Sequence, residues 1–73
     1  MLIVNAPLMT DRVRAVLDGY DKDGVTIRFV SREGMKLSFE MTGLAGYDAV
    51  DFVKKLIRSH DFGNALYFQV AWH

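Results

Sequence analysis

The sequence predicts a small α+β domain, a two-layer sandwich of an antiparallel-dominated sheet and helices. Three observations predict this class. The 73 residues suffice for one hydrophobic core and not for two, so residues 1–73 are expected to form a single domain. Residues 25–41 contain two runs of alternating apolar and polar side chains, which is typical of strands with one buried face. Residues 47–60 carry apolar side chains at helical spacing.

The composition limits the functions that such a domain can perform. Apolar and aromatic residues make up 51% of the chain, so some apolar surface is expected to stay uncovered in a monomer. Nine Lys and Arg balance nine Asp and Glu, and this zero net charge argues against nucleic acid or anionic lipid as the partner. There is no cysteine, no signal sequence and no apolar run of about 18 residues, so we expect a cytoplasmic protein without a membrane partner.

At the start of the chain, residues 1–4 are wholly apolar, which predicts a short strand in the middle of the sheet. In residues 25–41, a three-residue loop at 32–34 would place the apolar side chains of both alternating runs on one face of a β-hairpin. That loop would pair Phe29 with Leu37 and Ile27 with Phe39.

The segment from Tyr47 to His60 predicts an amphipathic helix. Its apolar stripe includes Ala49 and Val53, and Asp51 can pair with Lys55 one turn later. Residues 64–73 then predict a terminal strand, because the segment is rich in aromatic and apolar residues.

Residues 7–20 allow two interpretations, and the choice decides the fold. Helical spacing connects Val13, Val16, Leu17 and Tyr20. Against a helix, residues 22–24 repeat the turn chemistry of residues 32–34 ten positions earlier, as if residues 12–21 were the first strand of a meander. We favour the helix, because Asp18 and Gly19 are disfavoured inside a strand.

With a helix at residues 7–20, the element order is βαββαβ, and the domain resembles the four-stranded ferredoxin-like sandwiches. With a strand there, the alternative is a five-stranded, meander-containing sheet packed on one C-terminal helix. The class is α+β in both cases. Element order by itself implies no function.

The sequence contains no convincing catalytic, cofactor or metal site. The histidines are His60, expected to close the apolar stripe of the helix, and His73, and neither has an evident nucleophile or acid partner nearby in sequence. Residues 18–24 superficially look like a calcium loop, but alignment on Gly24 leaves Gly19 and Val30 at the two strongest ligand positions. We therefore expect neither an enzyme nor a bound cofactor or metal ion.

The terminal strand is the most informative feature, because the last strand of a βαββαβ sheet lies at an edge. The strand carries no charged residue from Asn64 to Trp72, and an unprotected apolar edge tends to pair with another chain. The predicted interface residues, which share one face, are Leu66, Phe68, Val70 and Trp72. The opposite, open face of the sheet is the alternative site, with a predicted ligand patch formed by Arg28, Tyr67 and Gln69.

Two functions follow from these surfaces. The first is a non-catalytic protein–protein interaction module that self-associates through its C-terminal strand, as a homodimer, or that binds another protein partner. The second is a small-ligand-binding domain that uses the open sheet face.

Overall fold

In a computed structural model that describes residues 1–60 and 67–73, two helices pack on one face of a five-stranded antiparallel sheet. The spatial order of the strands is β2-β3-β4-β1-β5. In chain order the elements are β1 Leu2–Asn5, α1 Thr10–Leu17, β2 Tyr20–Lys22, β3 Val25–Glu33, β4 Lys36–Thr42, α2 Gly46–Arg58 and β5 Gln69–Trp72.

The core lies between the sheet and the two helices. The period-two alternation of the strands and the helical stripes supply its side chains. Phe39 is fully buried at its centre and meets Phe29 edge to face, with the ring centroids 5.8 Å apart. The other completely buried apolar residues are Leu2, Val4, Ala6, Val13, Leu17, Leu37, Ala49, Val53 and Ile57.

Residues 7–20 contain helix α1 and, at their last residue, the start of β2, so the helix prediction is correct for residues 10–17 and the strand alternative only for residues 20 and 21. Val13 and Leu17 are buried on one side of α1, as the helical spacing predicts. The helix ends at Leu17, and Gly19 then takes a φ of +82°, a backbone conformation that glycine adopts without steric cost. The chain turns back at that point, and Tyr20 begins β2, which pairs with β3.

The four-stranded βαββαβ prediction is therefore wrong in strand number and in element order, because β2 is inserted between α1 and β3. The alternative correctly gave five strands and the β2-β3-β4 meander, but it omitted α1. When β2 is set aside, the remaining elements follow the predicted order. The α+β class is confirmed.

The β3–β4 hairpin is confirmed, but its predicted register is wrong. Glu33 pairs with Lys36 around a two-residue turn, and Phe29 pairs with Phe39 instead of Leu37. A turn of this length alone would put the apolar side chains of β3 and those of β4 on opposite faces of the sheet. The ladder shifts by one residue at Val30, between Phe29 and Ser31, and this bulge returns both sets to the core.

β1 occupies the predicted central position, between β4 and β5. Leu2 and Val4 are fully buried on the helix side, whereas Ile3 points to the other face and is half-buried. The helices leave this second face of the sheet uncovered. α2 is confirmed with slightly different bounds, and its Asp51–Lys55 ion pair forms at 3.0 Å.

Candidate functional site

β5 forms one edge of the sheet, as predicted, and pairs with β1 alone among the described strands. Its four residues, Gln69 to Trp72, carry no charge. The exposed N–H and C=O groups of an edge strand form a template for a further strand, and charged side chains usually prevent such pairing. An uncharged edge strand is therefore unusual. β5 is therefore the first candidate for a functional surface.

The hydrogen bonds at the end of the β1–β5 pair show which backbone groups of β5 point toward β1 and which point away from it. The His73 N–H donates to the Met1 carbonyl at 2.8 Å, and the Met1 amino group donates to the His73 carbonyl. In an antiparallel pair, such hydrogen-bonded positions alternate along the strand. Gln69 and Ala71 therefore also direct their backbone groups toward β1. The N–H and C=O of Val70 and Trp72 point away from the sheet, toward the open edge.

The side chains of the same residues are incompletely covered. Val70 and Trp72 lie on the helix side of β5 and pack against the core, but both are only half-buried, and so is Phe68. Leu2 and Val4, their neighbours on β1, are completely buried. The difference arises because β1 has a strand on each side and β5 has a strand on one.

Three of the four predicted interface residues thus pack against the core along the β5 edge: Phe68, Val70 and Trp72. The fourth, Leu66, lies outside the described residues. The guanidinium of Arg58, at the end of α2, lies over the Phe68 ring at 5.6 Å from its centroid. This cation–π contact holds the ring against the helix.

The open sheet face carries a second feature, a depression of about 270 Å³ beside β5. Its floor includes the half-buried Ile3. Gln69, Asn5 and Lys36 form one row across three strands, because Asn5 pairs with both of the others. The remaining lining residues are Ala71 and His73.

The predicted ligand patch is only partly assembled. Gln69 donates through its side-chain amide to the Tyr67 hydroxyl at 3.0 Å, so these two residues are together. Arg28 is on β3, with β4 and β1 between it and β5, a separation of roughly 14 Å at the usual strand spacing. Arg28 instead pairs with Glu40, the residue opposite it on β4.

Sequence reasoning missed Ile3, Asn5 and Lys36 as residues of this depression. Their nearness to Gln69 depends on β1 lying between β4 and β5 in one particular register. No local sequence pattern predicts a pairing between residues so far apart in the chain. The alternation of β4 does place Lys36 on the open face, and that was the available signal.

The two histidines follow different elements of the fold, α2 and β5. His60 lies beyond the end of α2 and is exposed, so the expectation that it closes the apolar stripe of that helix is wrong. His73 is on the rim of the depression. In residues 1–60 and 67–73, no group of three or more His, Asp or Glu side chains is arranged to hold a metal ion. No helix in this part of the chain is long and apolar enough to span a bilayer.

A comparison of the chain with known proteins found no matching family model, no matching curated protein and no matching solved structure. The β5 edge and the open sheet face are the two candidate functional surfaces of the described structure.

Proposed function

We propose that this protein is a non-catalytic interaction module that self-associates through the β5 edge. The observation that carries the proposal is the coincidence, on one strand, of backbone groups directed to the open edge and half-buried apolar side chains at Val70 and Trp72. A strand added to this edge would satisfy the N–H and C=O groups and cover the side chains at the same time.

A second copy of the chain is the partner that fits this edge by symmetry. An edge strand that pairs antiparallel with its own copy forms an isologous interface, which closes after two subunits. The chain has zero net charge, so two copies meet without long-range repulsion. The cytoplasmic location and the absence of a nucleic-acid partner stay predictions.

The contact between two such short strands is small, so we expect a reversible dimer. Interfaces well below about 1,200 Å² are generally weak, and a dissociation constant of roughly 1–100 μM is the expected range. Light scattering coupled to size-exclusion chromatography, from about 5 μM to 1 mM, should show a mass between 8.3 kDa and twice that value that rises with protein concentration.

Val70→Lys should abolish the dimer, because two ammonium groups would be brought together at an interface without carboxylates on β5. The matched control is Val30→Lys, which makes the same substitution at an exposed position on β3 and should leave the dimer intact. Circular dichroism should show that both variants are folded. A wild-type chain that stays at 8.3 kDa up to 1 mM would reject the proposal.

A second function, small-ligand binding, is favoured by the depression on the open face. Lys36 lines it and forms no ion pair within the described residues, while Asn5 and Gln69 offer amide groups. Thermal-shift screening of small carboxylates and phosphates tests this function, because a ligand at 100 times its dissociation constant adds about 2.7 kcal/mol of stability. The stabilisation should disappear in Lys36→Met and persist in Lys54→Met.

A further inference from the structure

The directions of the β5 backbone groups restrict how two copies can pair. Val70 and Trp72 of β5 direct N–H and C=O to the open edge, and Phe68, two residues before Val70, would do the same in a strand lengthened by pairing, so across the interface these three residues must meet one another or themselves. The helix layers must also lie on the same side of the joined sheet if the half-buried side chains are to be covered. A shift of the strand register by one residue violates both conditions. It pairs outward-pointing backbone groups with groups already bonded to β1, and it sets side chains of the helix side opposite side chains of the open face.

Two registers satisfy these conditions with most of β5 paired, one centred on Val70 and one centred on Ala71. In the Ala71-centred register, hydrogen-bonded pairs form only where Val70 meets Trp72. In the Val70-centred register they form at Val70 itself and at each contact between Phe68 and Trp72. The second register therefore satisfies more backbone groups and places the two aromatic residues opposite each other.

We propose that two copies join with Val70 on the two-fold axis, so that Phe68 faces Trp72 of the second copy and Gln69 faces its Ala71. This inference rests on the proposed self-association and specifies its geometry. On the helix side, the two Phe68–Trp72 contacts flank the Val70 pair. Together these side chains join the hydrophobic cores of the two subunits. The joined sheet has ten strands, with the four helices on one side.

The same register joins the open faces of the two sheets. The depression beside β5 in each copy then lies next to the two-fold axis, because Gln69 and Ala71 line it and also face the second copy. A ligand that binds there would contact both subunits.

Disulfide trapping tests the register, and the natural absence of cysteine makes each introduced thiol unique. Gln69 and Ala71 direct their backbone groups to β1, so they form a non-hydrogen-bonded pair across the interface, with Cβ atoms about 4.5–5.5 Å apart. Small adjustments bring this separation into the range of a disulfide. We expect a mixture of Gln69→Cys and Ala71→Cys chains, oxidised with oxidised glutathione, to form the mixed dimer at least about tenfold faster than either variant alone.

The control is Val30→Cys, an exposed position on β3 that should not be trapped. Rapid trapping of Ala71→Cys with itself would show the Ala71-centred register and overturn this inference. A dimer in light scattering that gives no mixed disulfide would also overturn it while leaving the proposed self-association in place. If the wild-type chain is monomeric at 1 mM, the proposed function fails and this inference fails with it.

Discussion

β2 and β5 form the two edges of the same sheet and differ in nearly every property that governs strand addition. β2 has three residues, and two of them, Asp21 and Lys22, are exposed and charged. β5 has four residues and no charge, and its Val70 and Trp72 side chains are half-buried. Short length and charge are the usual means by which proteins prevent an edge from pairing with another chain.

The surroundings of β2 strengthen this contrast. The Phe29 N–H, which lies beyond the end of β2, donates to the Asp18 carboxylate at 3.0 Å. A tight turn at Asp23 and Gly24, with φ values of +54° and +78°, closes the other end. Charge and short length therefore hinder strand addition at β2, while β5 directs the backbone groups of Val70 and Trp72 to an uncharged open edge. This difference indicates where a partner can add.

Beside the β2 edge, the backbones of Gly43 and Gly24 lie in close contact, and Gly43→Ala should disrupt this contact. A Cβ at Gly43 would lie 2.2 Å from the Gly24 carbonyl oxygen, and the Gly43 φ of +93° disfavours any side chain. We expect a loss of about 3 kcal/mol in the free energy of unfolding, measured by urea denaturation at fixed protein concentration.

Gly34→Ala is the control, since its φ is +61° but no atom lies within 4 Å of the added Cβ. It should cost about 1 kcal/mol. Equal losses in the two variants would show that the backbone conformation, and not the contact with Gly24, is what Gly43 provides.

Proline substitutions test the assignment of free and bonded groups on β5. Ala71→Pro removes an N–H that donates to β1 and should destabilise the subunit by about 2 kcal/mol. Val70→Pro removes an N–H that points to the open edge. Relative to Val70→Ala, it should cost less than about 1 kcal/mol and should prevent dimerisation. If the costs were reversed, the inferred directions of these groups would be wrong.

Asp18 accepts a hydrogen bond from the Phe29 N–H just beyond the end of β2. Asp18→Ala leaves this donor without its carboxylate partner and should cost about 1 kcal/mol in urea denaturation. Asp18→Asn retains an acceptor oxygen and should cost less than half as much. Amide exchange at Phe29 should accelerate in the alanine variant, and unchanged exchange would argue against this role of Asp18.

Removing the charges of β2 should make the two edges more alike. In the monomeric Val70→Lys background, Asp21→Thr with Lys22→Thr should change stability by less than about 0.5 kcal/mol, because both side chains are exposed. The variant should nevertheless associate weakly, at roughly millimolar concentration, through β2. A strictly monomeric mass at 1 mM would mean that the short length of β2 suffices to protect this edge.

The sequence by itself determined the features that depend on local periodicity and composition. Alternation identified β3 and β4, helical spacing identified α2, and the aromatic and apolar last segment identified a terminal strand, which the predicted element order placed at an edge. These signals are local because each element directs its own apolar side chains to one face.

The tertiary structure decided what depends on contacts between distant segments. Residues 10–22 contain signals for a helix and for a strand, and only packing on β3 and α2 shows that the chain uses both. The bulge at Val30 and the depression around Asn5 and Lys36 arise from strand registers. A register is chosen by the whole core, because a slip of one residue would turn every side chain of a strand to the opposite face.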